Sequence, residues 1–212
     1  MPSGVHCLDQ SHETPRWATA LILLIAVGAF VLRVQALLRP GGILGAVVDY
    51  DEGVYYSAAA LLAQGHLPYR DFVLAHPPGS AYFLAPIAAI FDARRGFQVA
   101  RVSMCVVGAV NVGLVGRIAL LQLGPAAGFA AALIYATYPE AVSSEHGVFL
   151  EPLLTLALLA AASFWFGLLR PRQRPTPWSA FAAGVLFGAL RLALSSGPAS
   201  PSRHSCCRSR GG

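Results

Sequence analysis

The chain has 212 residues, of which 56% are hydrophobic and 12% charged, with a formal net charge of +5. Its mean hydropathy is +0.59, and its apolar residues fall in long blocks that a bilayer accommodates and a single soluble core does not. The basic residues are all arginine, set mostly at block edges and without interleaved aromatics, which excludes a nucleic-acid surface and points to lipid headgroups or topology.

Residues 1–16 are polar and lack the basic start of a signal peptide, so the first apolar block reads as an uncleaved helix with a cytoplasmic leader. That block runs from Trp17 to about Leu38, long enough to span, with Arg33 expected to snorkel outward. Pro40-Gly41-Gly42 then breaks the helix and opens a first outer loop over 40–97. Within it, Val54, Tyr55, Ala58, Leu61 and Leu62 recur at helical spacing. This predicts an amphipathic helix over 52–64, lying on the membrane surface with Asp51 as N-cap and Gly65 as stop. Ala81–Phe91 is apolar but too short to span.

A second span is predicted from Gln98 to about Gln122, a third, short one over Ala126–Tyr138, a fourth over Pro152–Leu169 and a fifth over Trp178–Leu194. Glu140–Glu151 reads as a polar connection in which Glu145 and His146 are exposed. The tail from Ser195 is rich in Ser, Pro, Arg and Gly and is expected to be disordered, the mark of a truncated or frame-shifted end. The fold class is therefore all-α: a polytopic membrane helix bundle of about five spans over 17–194. The arginine cluster at 170–174 weighs most for the inner side, leaving 40–97 and 139–151 outside. Cys7, Cys105, Cys206 and Cys207 have no metal-ligand spacing, and Cys105 is expected to be a small core residue.

Three motifs can carry chemistry. Asp49-Tyr50-Asp51-Glu52 packs three carboxylates into four residues, and their mutual repulsion can raise one pKa into the range of a general base. Helix capping explains Asp51 as well. The Asp-Tyr-Asp triplet also matches a short pattern by which nucleotide-sugar transferases hold a divalent metal ion. His76-Pro77-Pro78 fixes a histidine on stiff, extended backbone where it could meet a lipid phosphate, or simply mark a turn into the membrane. Glu151-Pro152 opens the fourth span as a site acid or a helix cap. Arg101 reads as a snorkelling anchor that could bind phosphate, and Arg70-Asp71 as a local ion pair.

In chain order these segments resemble the GT-C superfamily of membrane glycosyltransferases, closest to the protein-mannosyltransferase-like and aminoarabinose-transferase-like enzymes. The resembling text is Asp51-Glu52-Gly53-Val54-Tyr55, Gly65-His66-Leu67-Pro68-Tyr69-Arg70-Asp71-Phe72 and His76-Pro77-Pro78-Gly79, followed by Arg101-Val102-Ser103, Gly124-Pro125 and Phe149-Leu150-Glu151-Pro152. The resemblance implies a polyprenyl-phosphate-linked sugar donor, an acceptor lipid, glycan or protein, and a site at the outer face of the cell membrane. It implies Asp51 as the base, Glu52 as its support or a metal contact, and Asp49, Arg70, His76, Arg101 and Glu151 as substrate-binding groups. It names no cofactor, and the need for a divalent metal ion stays open. Members of the superfamily continue through further spans, so an inactive fragment, a non-catalytic remnant and a transporter component remain alternatives.

Overall fold

The computed structural model describes residues 15–39 and 49–168, with single positions at 44, 184 and 185. The described residues form seven helices: α1 (Arg16–Leu38), α2 (Tyr50–Ala63), α3 (Gly79–Ile90), α4 (Ala93–Leu123), α5 (Pro125–Thr137), α6 (Pro139–His146) and α7 (Glu151–Leu168). There is no strand among them, only an isolated bridge between Pro68 and Phe72. The all-α expectation holds. The fifth expected span, and the tail from Ser195, lie outside the described residues.

α4 is the central post. At 1.5 Å per residue its 31 residues reach about 46 Å, beyond the roughly 30 Å hydrocarbon core. Its first turn, capped by Asp92 accepting from the Arg95 N–H at 3.0 Å, carries exposed Arg94 and Arg95. α1 packs antiparallel along it: Ala18 and Ile22 meet Leu120, and Ala26 and Ala29 meet Val112. Leu23, Leu24, Val27 and Leu32 face outward. Small inward residues let two helices approach closely where the solvent is lipid and apolar side chains gain little by hiding from it.

α5 turns back at Gly124, whose φ of +94° suits glycine. A Cβ at Gly116 would come within 2.9 Å of the Ala132 side chain, and one at Gly128 within 2.9 Å of Leu120, so glycine sets the α4–α5 spacing. With 13 residues, about 20 Å, α5 is too short to cross alone. α1 and α4 are each long and apolar enough to cross, and α6 with α7 qualifies as one pair bent by 117°. The described residues thus supply two or three spans, fewer than the four that the sequence suggested over the same stretch.

α2 does not lie alone on a surface. Tyr55, Tyr56 and Ala59 join Leu84 of α3, Phe97, Ala100 and Met104 of α4, and Val148 in one core. Ala58 packs with Leu74 and Ala81. The apolar face read from the sequence is real, but it is buried against α3 and α4.

Candidate functional site

The acidic stretch is organised by a capping box. Asp49 is the N-cap of α2: its side chain accepts from the Asp51 N–H at 3.0 Å, and the Glu52 carboxylate reaches back to the Asp49 N–H at 3.5 Å. Asp51 is therefore not the cap. It sits one turn before Tyr55, half-buried, and its carboxylate has no hydrogen-bond or ion-pair partner among the described residues. At the far end of α2, Gly65 takes φ +91°, as a helix stop should.

Glu52 is 1% exposed and forms an ion pair with Arg101 at 2.6 Å, which is 0% exposed. Its other oxygen accepts the Val148 N–H at 3.0 Å. The Arg101 guanidinium also lies over the Phe97 ring, 5.0 Å from its centroid. Arg101 does not snorkel. A partner of opposite charge lies within the bundle, and a buried arginine without one would be far costlier.

A second buried pair corrects two further expectations. Arg33, 2% exposed, meets Glu145, 1% exposed, at 2.6 Å, and Arg33 Nε donates to the same carboxylate at 2.8 Å. The Tyr135 hydroxyl donates to the other Glu145 oxygen at 3.2 Å, and the Glu145 carbonyl accepts from the buried Cys105 thiol at 3.5 Å. The connection read as an exposed loop is instead α6, and its acid faces inward because α1 brings an arginine to it. Lone arginines in apolar spans were the available signal: such a charge implies a partner.

Next to the acids, the Tyr55 ring packs against His76 with centroids 5.1 Å apart. Burial pushes the Tyr55 hydroxyl up to about 12, and the charges of Glu151 and then Asp51 push in the same direction. Tyr55 thus stands among Asp51, His76 and Glu151. Glu151 is the exposed first residue of α7. The start of that helix is tied to α4 by the Asn111 side-chain amide, which donates to the Pro152 carbonyl at 3.1 Å. The His76 carbonyl accepts from the Tyr69 hydroxyl at 2.9 Å, and Tyr69 itself holds a positive φ of 65°. Tyr55 was quoted in the sequence only as part of a motif. Its spacing of four from Asp51, which places both on one helix face, was the signal for its position.

Arg70 is engaged elsewhere. It donates to both oxygens of Asp71, at 2.9 and 2.8 Å, and Asp71 also accepts the Leu67 N–H at 2.8 Å. The Arg70 hydrogen bonds, and then that of Leu67, hold the Asp71 carboxyl down to about 2. Among the described residues no three His, Cys, Asp or Glu side chains gather as metal ligands. Asp49 serves the cap and Glu52 the Arg101 pair, a poor fit to a divalent ion.

The arrangement offers a half-buried carboxylate, an aromatic wall, an imidazole and a second acid at the end of the bundle where α4 rises out of the span. Comparison with curated proteins and with solved structures finds no match. The family described as dolichyl-phosphate-mannose-protein mannosyltransferase matches residues 75–192, more than half of the chain and a stretch that holds His76, Arg101 and Glu151. This apolar helical chain is a membrane protein of GT-C glycosyltransferase type, and it belongs to the dolichyl-phosphate-mannose-protein mannosyltransferase family.

Proposed function

We infer that the protein transfers a sugar from a polyprenyl-phosphate donor to an acceptor hydroxyl at the outer face of the cell membrane. Asp51 takes the hydroxyl proton as the acceptor oxygen attacks the anomeric carbon. The bond from that carbon to the phosphate oxygen breaks, and the lipid phosphate leaves with the electron pair. His76 stands at the lipid phosphate, and Glu151 holds the acceptor or the sugar from the far side of Tyr55. Glu52 acts as a positioning residue for Asp51. Arg101, Asp49 and Arg70 support the site through their partners Glu52, the cap and Asp71.

One observation carries this reading: Tyr55 lies against His76 and feels the charges of both Asp51 and Glu151. Three motifs separated by up to a hundred residues in sequence thereby bear on one side chain, which supports the reading. Asp51 also keeps a carboxylate without a hydrogen-bond partner among the described residues, as a base requires. A transporter reading has less support, because the buried arginines Arg33 and Arg101 are each neutralised by a glutamate.

The test is mannose transfer from dolichyl-phosphate mannose by the purified chain. Asp51→Asn keeps the shape and removes the base, and is expected to lower kcat by about 10²–10⁴-fold with little change in donor binding. Unchanged turnover in that variant removes Asp51 from the role.

A further inference from the structure

At the end of the bundle away from the carboxylates, α1 and α4 enclose a cleft of about 520 Å³. Its walls are apolar, with Ala26, Phe30, Val106 and Val110 among them, and Thr19 and Arg117 lie at one end. From Thr19 to Phe30 the cleft follows α1 for a rise of roughly 16 Å, or about half of the roughly 30 Å hydrocarbon core. That is the depth of one leaflet. Arg117 lies sixteen residues beyond Arg101 on α4, about 24 Å from the level of the Glu52 pair.

Arg117 is exposed and has no hydrogen-bond or ion-pair partner among the described residues. Arg16 and Trp17 begin α1 just before Thr19, both exposed, with the Trp17 ring tilted against Phe129, centroids 5.8 Å apart. The described carboxylates belong to the other end of the bundle, to α2, α6, the start of α7 and the loops beside them. Thr19 and Arg117 therefore lie at one end of an apolar slot, and Arg16, with no partner among the described residues, stands one turn before Thr19. An extended hydrocarbon chain is narrow enough for such a slot.

We propose that this cleft binds one acyl chain of an anionic glycerophospholipid, whose phosphate is met by Arg117 with Arg16 beside it. Charge complementarity selects the headgroup and shape selects the chain. The site is distinct from that of the sugar donor, whose phosphate is placed at the opposite membrane face, and it does not depend on transfer activity.

Native mass spectrometry tests it, with the full chain released from micelles holding equal phosphatidylglycerol and phosphatidylcholine. The wild type is expected to retain phosphatidylglycerol preferentially. Arg117→Gln should lower that retention about five-fold, and Arg117→Lys should keep it. Val110→Trp, which fills the slot from an exposed position, should abolish retention of both lipids. Arg94→Gln, at the other end of α4, should change nothing. A melting curve for each variant confirms that it is folded. Equal retention of the two lipids, no retention by the wild type because residues 178–194 cover the cleft, or full retention in Arg117→Gln or Val110→Trp would each overturn the assignment.

Discussion

The carboxylate of Glu52 accepts the N–H of Val148 at 3.0 Å, across 96 positions of sequence. That bond joins the capped start of α2 to the corner between α6 and α7. Together with the Arg101 pair on the same side chain, it fixes the distance between the acid stretch and Glu151.

Breaking this clasp from one side should be severe. Arg101→Met leaves the Glu52 carboxylate buried without its arginine, and the expected cost is about 3–5 kcal/mol. Replacing both partners, Arg101→Met with Glu52→Leu, removes the uncompensated charge and should recover most of that loss. Thermal unfolding of the wild type and the two variants in detergent checks the order: the single variant lowest, the double variant near the wild type.

The Arg33–Glu145 pair should behave in the same way. Glu145→Ala strands Arg33 beside Tyr135 and is expected to destabilise by about 3–5 kcal/mol. Exchanging the two, Arg33→Glu with Glu145→Arg, should restore part of the stability that either single change removes. Chemical denaturation of all four forms measures the coupling as a double-mutant cycle.

Two glycines of α4 make a matched comparison. A Cβ at Gly108 would press into the Glu145 carboxylate, whereas one at Gly113 would meet Ala26 at 3.9 Å, an ordinary contact. Gly108→Ala should therefore cost about 1–3 kcal/mol. Gly113→Ala should be neutral or slightly stabilising, since alanine favours a helix over glycine by up to about 1 kcal/mol. Melting temperatures of the two variants decide it.

Tyr55 sets an alkaline limit. Its folded pKa is raised from 10.0 to about 12, so its neutral form is favoured in the native state. The stabilisation is fully present below pH 10 and is lost as pH rises from there through about 12. Tyr55→Phe removes this dependence. The stability difference between the two proteins should stay constant up to about pH 10 and change only above it, which is read from unfolding at a series of alkaline pH values.

Much of this fold is legible in the sequence because its signals are local. The acidic stretch encodes a cap, although it falls on Asp49 and not on the expected Asp51, Gly65 encodes a stop, Gly124-Pro125 a reversal, and the apolar runs encode α1 and α4. Even the face of α2 can be read, although not what covers it. The two ion pairs are not legible in this way. Arg33 and Glu145 lie 112 positions apart, and nothing beside either residue announces the other. Read alone, an arginine near a helix end looks like a headgroup anchor, and a glutamate in a polar stretch looks solvated. Only the packing of both α1 and α6 against α4 brings the two together. The candidate site divides along the same line: Asp51, His76 and Glu151 stand out as motifs, while Tyr55 becomes prominent only through its neighbours.

The excess length of α4 turns the protein into a ruler. Because α2, α3 and the α6 corner are fastened to its upper turns, Asp51, the proposed base, is held at a set height along α4. Bilayers only a few ångströms thicker would bring lipid up around Arg94 and Arg95 and draw Asp51 toward the acyl region. Host membranes of different thickness should thus tune how readily the donor phosphate and the carboxylate come level.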